Sequence, residues 1–216
     1  MLAEAKYRKS QKDVLTMEPT FNLLTEDIKT DIQGFITSGY NHLRFAYYVP
    51  MKVEDKTRAK LWLKSIIPHI TTSKSWRPGL NDQKRLPEQA LNIAFMPEGF
   101  IQLGLSQDVL CTFSLPFQEG MSNKQRSRKL GDYGASDPKH WEIGGEASNS
   151  FHWLLILNAA SQDAADALLA EIRQRVEAYS DGVSIIEALI QGGMRTKEGK
   201  EPFGFADGIH NLAFMV

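Results

Sequence analysis

The segment from Gly204 to Gly208 holds the residues of this sequence that are best suited to chemistry. Two glycines bracket the acidic residue Asp207, and glycines let a backbone turn tightly and approach a ligand closely. The neighbouring Phe203 and Phe205 make the surroundings apolar, and burial of that kind raises the pKa of a carboxyl. An aspartate held in this way can take up and return a proton near neutral pH. Taken alone, the same pattern also fits a plain turn with a solvated aspartate.

The histidines and the cysteine do not form a second site. The histidines are His42, His69, His140, His152 and His210. No two of them have the i, i+4 spacing of a helical zinc pair, so no metal site is predicted. The two histidines at or within predicted strands, His42 and His152, are interpreted as structural residues. The single cysteine, Cys111, is predicted to be a buried and unreactive thiol, because nothing near it in sequence would lower its pKa.

A short basic segment is the remaining candidate for ligand binding. Its cations are Lys124, Arg126, Arg128 and Lys129. No aromatic residue lies between them, and the formal net charge of the whole chain is −1. Nucleic-acid partners and anionic membrane surfaces are therefore not expected, and the segment is interpreted as a solvated face.

The composition is that of a packed globular protein. The chain has 216 residues, of which 42% are hydrophobic and 24% are charged. Residues 1–14 lack the apolar core of a signal peptide, and no apolar run is long enough for a membrane-spanning helix. Together with the single cysteine, these features predict a cytoplasmic location and one sizeable domain.

Hydrophobic periodicity predicts four strands and two long helices. The strands are expected at 43–49, 91–95, 151–157 and 183–190. Pro50 is expected to end the first strand, and the third is apolar enough to be buried on both faces. The first helix is expected to begin after the N-cap Asp55 and to end near Ile66, before Pro68. The second helix covers about 165–179.

This order of elements predicts an α+β fold of the ferredoxin-like (split βαβ) type. Its four-stranded antiparallel sheet would carry both helices on one face. Residues 1–30 are interpreted as a polar N-terminal arm and 31–216 as a single domain. Within it, 71–87 is expected to be an exposed loop, and 106–150 a long irregular insertion between the two halves.

The phrase from Glu201 to Ile209 resembles the signature of the dye-decolorizing (DyP-type) haem peroxidases. Other stretches resemble the same family in the same order. They are Asp31-Ile32-Gln33-Gly34, Leu91 to Phe95, Gly99, Leu103-Gly104-Leu105, Phe117, Glu119-Gly120-Met121, Leu130-Gly131-Asp132 and Trp141. Each piece is short, but the ordered set spans about 28–209. The resemblance identifies the chain as the N-terminal half of such a protein, within the dimeric α+β barrel superfamily.

The resemblance implies a peroxidase that uses haem b and hydrogen peroxide to oxidise dyes or phenols. Asp207 would be the acid–base residue on the distal side of the haem, accepting a proton from peroxide and returning it to the departing oxygen. Gly204, Gly208 and Ile209 would shape the loop along the haem edge and so bind the cofactor.

The resemblance breaks after Ile209. The family also needs a proximal histidine and a distal arginine from its second half, and His210 is too close to Asp207 to be that histidine. The apolar tail at 211–216 departs from the family pattern and resembles an interrupted strand. We therefore expect this chain alone not to ligate haem and to need a second-half polypeptide for activity. Its uncovered sheet face predicts a homo-oligomer.

Two other classes of function remain open at this stage. The first is a non-catalytic scaffold or assembly module that keeps the fold without the chemistry. The second is a cofactor-free enzyme, such as an oxygenase, built on the α+β barrel, although no second catalytic group is identifiable in the sequence.

Overall fold

One antiparallel sheet organises the chain. The computed structural model describes residues 26–37, 40, 42–76, 87–145, 151–196, 200 and 204. The strands are β1 (Phe45–Val53), β2 (Gln89–Phe95), β3 (Trp153–Ala159), β4 (Val183–Ile185) and β5 (Gln191–Met194). Strand β3 lies between β2 and β1, and both β4 and β5 pair with the remaining side of β1. The chain therefore enters the sheet at its centre and leaves it at an edge.

The helices differ greatly in length. They are α1 (Glu26–Asp31), α2 (Gly34–Thr37), α3 (Lys56–Ile66), α4 (Ser73–Trp76), α5 (Pro97–Gln102), α6 (Gln107–Leu110), α7 (Leu115–Glu119), α8 (Lys124–Leu130) and α9 (Gln162–Glu177). Short 3₁₀ helices cover Ile67–His69, Gly134–Ser136, Pro138–His140 and Glu187–Leu189. The two long helices, α3 and α9, are those that the periodicity predicts. Asp55 caps α3, its carboxylate accepting from the N–H of Arg58 at 2.8 Å.

The core lies between one face of the sheet and the helices α3 and α9. Along β3 its members alternate with less buried residues. They include Val49, Met51, Trp62, Ile66, Trp153, Leu155, Leu157, Leu169 and Ile172. Trp62 and Trp153 are fully buried, and their rings stack with centroids 5.7 Å apart. The predicted α+β fold, with an antiparallel sheet and packed helices, is confirmed. Strand β3 is fully buried on one face only, however, and not on both as predicted.

Pro50 lies within β1 and does not end it, contrary to the prediction. In a strand the N–H and C=O of one residue point to the same side, and the C=O of Pro50 accepts from the N–H of Ile186 at 2.9 Å. The missing N–H of Pro50 therefore faces the break between β4 and β5, where no strand pairs with it. A proline is tolerated at this position because it removes no ladder hydrogen bond.

The predicted fourth strand at 183–190 contains the short strand β4 and a 3₁₀ helix, and β5 follows beyond it, so the sheet has five strands and not four. The 3₁₀ helix Glu187–Leu189 separates β4 from β5. Arg173 of α9 holds this helix, with Nε and Nη2 donating to Glu187 at 3.0 and 2.6 Å. An apolar run alone does not show where tertiary contacts interrupt a strand.

The predicted insertion is mostly helical and not irregular as expected. Three α-helices (α6, α7 and α8) and two 3₁₀ helices lie within 107–140. In this region, the rings of Phe113 and Phe117 contact that of Phe100 in α5, which stacks on Phe95 of β2. Helices of four to seven residues are too short to show a helical period, which explains the wrong prediction.

Parts of the predicted arm and exposed loop lie outside the described residues. These are residues 1–25 and 77–86. Of the remainder, α1 occupies the last part of the predicted arm, and α4 occupies part of the predicted loop at 71–87. Within the described ranges, none of the helices is both long and apolar enough to cross a membrane.

Candidate functional site

Of the four predicted site residues, the structure describes Gly204. Its φ of +92° is in the left-handed region that favours glycine, and a Cβ at this position would meet nothing within 4 Å. Asp207, Gly208 and Ile209 lie outside the described residues.

Arg44 holds the end of β5, the strand that leads to Gly204. The N–H of Arg195 donates to the C=O of Arg44 at 2.8 Å. In return, Nε and Nη2 of Arg44 donate to the C=O of Arg195 at 3.2 and 3.0 Å. The guanidinium also lies over the ring of Phe45, 5.7 Å from its centroid. Sequence reasoning did not find Arg44, because the residue that it binds is 151 positions away.

A closed turn follows directly after this contact. The N–H of Thr196 donates to the C=O of Lys200 at 2.8 Å, and the N–H of Lys200 donates to Thr196 Oγ1 at 3.1 Å. These two bonds reverse the chain between β5 and Gly204. The path from the sheet to the predicted acid is thus fixed at Arg195 and again at Lys200.

At the opposite edge of the sheet, the motif stretches 31–34 and 91–95 contact each other. Gln33 Nε2 donates to the C=O of Ile93 at 2.8 Å, and the N–H of Ile93 donates to Gln33 Oε1 at 2.8 Å. The N–H of Thr71 donates to the C=O of Leu91 at 2.8 Å, and the N–H of Leu91 donates to Thr71 Oγ1 at 3.0 Å. These groups occupy the place of a further strand and close the free edge of β2.

Asn92 connects this edge to the interior. It is fully buried, and its Oδ1 accepts from the hydroxyl of Tyr40 at 2.9 Å. Its Nδ2 donates to the C=O of Thr71 at 3.1 Å and to Gln33 Oε1 at 3.3 Å. Burial raises the pKa of Tyr40 to about 12, so the phenol stays protonated and donates throughout the neutral range. Gln33 and Asn92 are therefore structural residues.

Two histidines in the described part of the chain bind the main chain. His42 Nε2 binds the C=O of Pro87 at 2.8 Å, and His152 Nδ1 accepts from the N–H of Val53 at 2.7 Å. Both have the structural roles that the sequence predicts. Burial, with Lys52 adding to it, lowers the pKa of His152 from its ordinary value, whereas Glu54 and Glu98 oppose the shift. The other two described histidines, at 69 and 140, are exposed.

The cysteine and the basic segment do not add to a site. Cys111 is exposed at the end of the four-residue α6, so the prediction of a buried thiol is wrong. Arg126 of the basic segment pairs with Glu119 at 2.8 Å, and both side chains are more than three-quarters buried. The other three cations of the segment are exposed, as expected for a solvated face. No group of three or more His, Cys, Asp and Glu side chains in the described residues could hold a metal ion.

The fold and its motif contacts agree with comparisons to known proteins. A family model described as the DyP dimeric alpha+beta barrel domain matches residues 31–195. The chain belongs to the DyP-type peroxidase family. Peroxidase 2 of Mycetinis scorodonius is 34% identical to this chain over 188 residues, which are 85% of this chain and 33% of that protein. The chain thus spans about a third of the length of the curated relatives that it matches.

Solved structures of the family share the fold. A DyP-type peroxidase from Anabaena sp. superimposes with a TM-score of 0.68 at 20% identity, over 85% of this chain and 39% of that chain. A decolorizing peroxidase from Auricularia auricula-judae gives a TM-score of 0.63 at 24% identity, over 84% of this chain and 37% of that chain. The family predicted from the sequence is therefore confirmed. The matched range ends at Arg195, so Gly204 and Asp207 lie beyond it.

Proposed function

We propose that this chain is the part of a DyP-type peroxidase that contributes Asp207 to peroxide chemistry, and that a second polypeptide supplies the haem ligands. The family match over 31–195 carries this proposal. One matched relative is a dye-decolorizing peroxidase. A related structure, 26% identical to this chain, concerns engineering of the heme pocket of such an enzyme. The corresponding substrates are hydrogen peroxide and an organic reductant of the dye or phenol class.

Asp207 is the proposed acid–base residue. Its carboxylate accepts a proton from one oxygen of hydrogen peroxide and returns it to the departing oxygen, which leaves as water. Gly204 supports this role because its left-handed φ permits a sharp turn three residues before the acid. Gly208 and Ile209 would complete the loop and face the edge of haem b.

The second polypeptide is proposed because, in the family that this chain resembles, the proximal histidine and the distal arginine come from the second half. The chain spans about a third of the length of the matched relatives. The gene neighbourhood should then contain a reading frame that encodes a histidine and an arginine for the haem.

A titration with hemin tests the proposal. The purified chain alone should give no sharp histidine-ligated Soret band and no turnover of a phenol with peroxide. Addition of the co-expressed second polypeptide should produce both. A sharp band with turnover by the chain alone would refute the need for a partner. An oligomer that binds no hemin even with the second polypeptide would favour the scaffold alternative.

A matched pair of variants tests the role of Asp207 in the reconstituted enzyme. Asp207→Asn should slow the reaction with peroxide by about 10²–10⁴-fold, the usual contribution of a general acid–base residue. Asp108→Asn, which changes an exposed aspartate of α6, should leave the rate unchanged. Equal rates for both variants would remove Asp207 from the mechanism.

We also propose that the isolated chain forms a homo-oligomer through the sheet face opposite α3 and α9. Tyr48 on this face is 40% exposed, and its neighbours Leu154 and Ile156 are only partly buried. Ile156→Lys should shift the chain toward monomer in sedimentation velocity. Lys60→Glu, at an exposed position of α3, should not. A monomer at all concentrations would contradict the oligomer.

The cytoplasmic location stays a prediction.

A further inference from the structure

We propose that the outer edge of β5 pairs with the same strand of a second copy of this chain. The two strands would run antiparallel about a two-fold axis, so that the two sheets become continuous. Backbone groups at the sheet edge make this contact, which distinguishes it from the proposed contact between sheet faces. It depends on neither Asp207 nor haem.

The outer edge of β5 carries backbone groups that the sheet does not use. The N–H of Arg195 donates to the C=O of Arg44 at 2.8 Å, so Gly193, two residues earlier, also directs its backbone groups toward β1. The N–H and C=O groups of Gly192 and Met194 therefore point away from β1. Among the described residues these groups have no hydrogen-bond partner. They are the donors and acceptors that another strand would bind.

The other edges of the sheet do not offer such a row of groups. At the β2 edge, Gln33 and Thr71 already bind the main chain of the strand. At the β4 edge, the N–H of Val183 donates to the C=O of Tyr179 at 3.1 Å. The 3₁₀ helix Glu187–Leu189 then interrupts the edge between β4 and β5. Of the described edges, β5 is therefore the one that is open to pairing.

The sequence of β5 is complementary to itself. Its four residues are exposed and include no charge and no proline, the usual protections of an edge strand. In a pair centred on Gly193, this glycine lies opposite its own copy, where Cα atoms approach to about 4.5 Å. Gly192 then lies opposite Met194 of the second copy, so a long side chain faces a residue that has none. The outward N–H and C=O groups of both residues are satisfied, which identifies a second copy as the partner.

The edge contact should be weak and reversible. Strand β5 has four residues, and each backbone hydrogen bond contributes little net free energy. We therefore expect a dimer that forms at high protein concentration. Since pairing at the edge leaves the open face of the sheet uncovered, both contacts can exist in one assembly. Experiments on the edge contact therefore use Ile156→Lys, which removes the proposed face contact.

A proline at residue 192 tests the contact in this background. Gly192→Pro removes the outward N–H and no hydrogen bond to β1. The matched control, Gly192→Ala, adds a Cβ but keeps the N–H. A Cβ at this position would lie 3.5 Å from the ring of Tyr47, an ordinary contact, and the backbone of Gly192 is not left-handed. Both variants should therefore fold.

Sedimentation velocity over a range of concentrations measures the effect. Gly192→Pro should raise the dissociation constant of the dimer by about tenfold or more, because each copy loses one hydrogen bond. Gly192→Ala should keep the dissociation constant of the background chain. Equal weakening by both variants would overturn the inference. A strict monomer of Ile156→Lys at all concentrations would also overturn it, while the proposed face contact would stand.

Amide hydrogen exchange locates the contact without a change in β5. In Ile156→Lys, the amides of Gly192 and Met194 are accessible in the monomer alone. They should exchange about tenfold more slowly when about nine-tenths of the chain is dimeric. The amide of Gly193 is bonded to β1 in both states and should not change. Exchange at Gly192 and Met194 that does not depend on concentration would overturn the inference.

Discussion

The two edges of the sheet are finished in opposite ways. At the β2 edge, Gln33 and Thr71 bind the main chain of Ile93 and Leu91, and the buried Asn92 ties them to the interior. At the β5 edge, the strand is exposed and rich in glycine, and the Arg44 side chain binds the main chain at its end. Both regions contain or adjoin stretches that resemble the same family. The first uses its polar residues for structure, whereas the second leads to the residues suited to chemistry.

Two glycines show the same difference. A Cβ on Gly34 would lie 2.7 Å from the Tyr40 hydroxyl and 3.2 Å from the C=O oxygen of Thr72, so packing requires this glycine. A Cβ on Gly204 would meet nothing within 4 Å, but its φ of +92° requires glycine for conformational reasons. The requirement for glycine at a motif position can therefore come from neighbouring atoms or from the backbone conformation of the glycine itself. The second kind marks the turn that precedes Asp207.

Removal of the buried amide at the β2 edge should have the largest effect. Asn92→Leu removes the amide that binds the Tyr40 hydroxyl, the Thr71 carbonyl and Gln33 Oε1. The free energy of unfolding should fall by about 2–4 kcal/mol, measured by urea denaturation. Ala94→Ser, at an exposed position two residues along β2, should change it by less than about 0.5 kcal/mol. Equal effects at the two positions would show that the network carries no stability.

Uncovering the β2 edge should have the next largest effect on stability. Gln33→Leu removes the paired hydrogen bonds to Ile93 and should cost about 1–3 kcal/mol. It also exposes the free N–H and C=O groups of β2, so light scattering should show association that rises with concentration. Gln191→Leu makes the same chemical change on exposed β5 and should do neither. Association of both variants to the same extent would remove the contrast between the edges.

The two glycine substitutions should differ in how far their effects spread through the protein. Gly34→Ala should lower the free energy of unfolding by about 1–3 kcal/mol, because the backbone of Thr72 cannot move away freely. Gly204→Ala incurs about 1 kcal/mol of backbone strain outside the core, and its effect should be confined to exchange of nearby amides. Urea denaturation and hydrogen exchange measure the two effects. Global destabilisation of similar size by both variants would contradict the distinction.

The smallest expected effect is a dependence of stability on pH. Burial, with Lys52 adding to it, lowers the pKa of His152 from its ordinary value, and its Nδ1 must be unprotonated to accept from Val53. As the pH falls below about 6.5, the unfolded histidine takes up a proton before the folded one, so stability decreases. The urea midpoint should therefore be lower at pH 5.5 than at pH 7.5.

Two variants check this assignment. His152→Asn keeps an acceptor for Val53 without a titrating group and should remove part of the pH dependence. His69→Asn changes an exposed histidine and should keep all of it. If His69→Asn removed more of the pH dependence than His152→Asn, the pH dependence would not arise from the histidine at the end of β1.

The elements that could be predicted are those whose signal is local. Alternation along β1 and β2, the apolar run of β3, the apolar stripes of α3 and α9, and the cap Asp55 all appear within a few neighbouring residues. The failures depend on distant parts of the chain. Pro50 is tolerated because of a gap between strands more than 130 residues later, and the predicted fourth strand ends early where Arg173 binds Glu187.

The candidate site follows the same rule. The left-handed conformation of Gly204 agrees with the glycine turn predicted from its sequence. The roles of Asp207, Gly208 and Ile209 stay predictions, because they lie outside the described residues. The contact of Arg44 with the end of β5 could not be predicted, since the carbonyl that it binds is 151 residues away. Local patterns identify a turn, but they do not identify what anchors it.

The position of β1 at the centre of the sheet has a consequence for folding during synthesis. Its partners β3, β4 and β5 are all about one hundred residues or more further along the chain. A ribosome that adds 5–20 residues per second, an order-of-magnitude rate, therefore exposes the apolar side chains of β1 for several seconds before they can pair. Sequence-distant pairing of this kind also slows refolding. Chaperone binding to the nascent chain should thus concentrate on β1, and release should follow the emergence of β3.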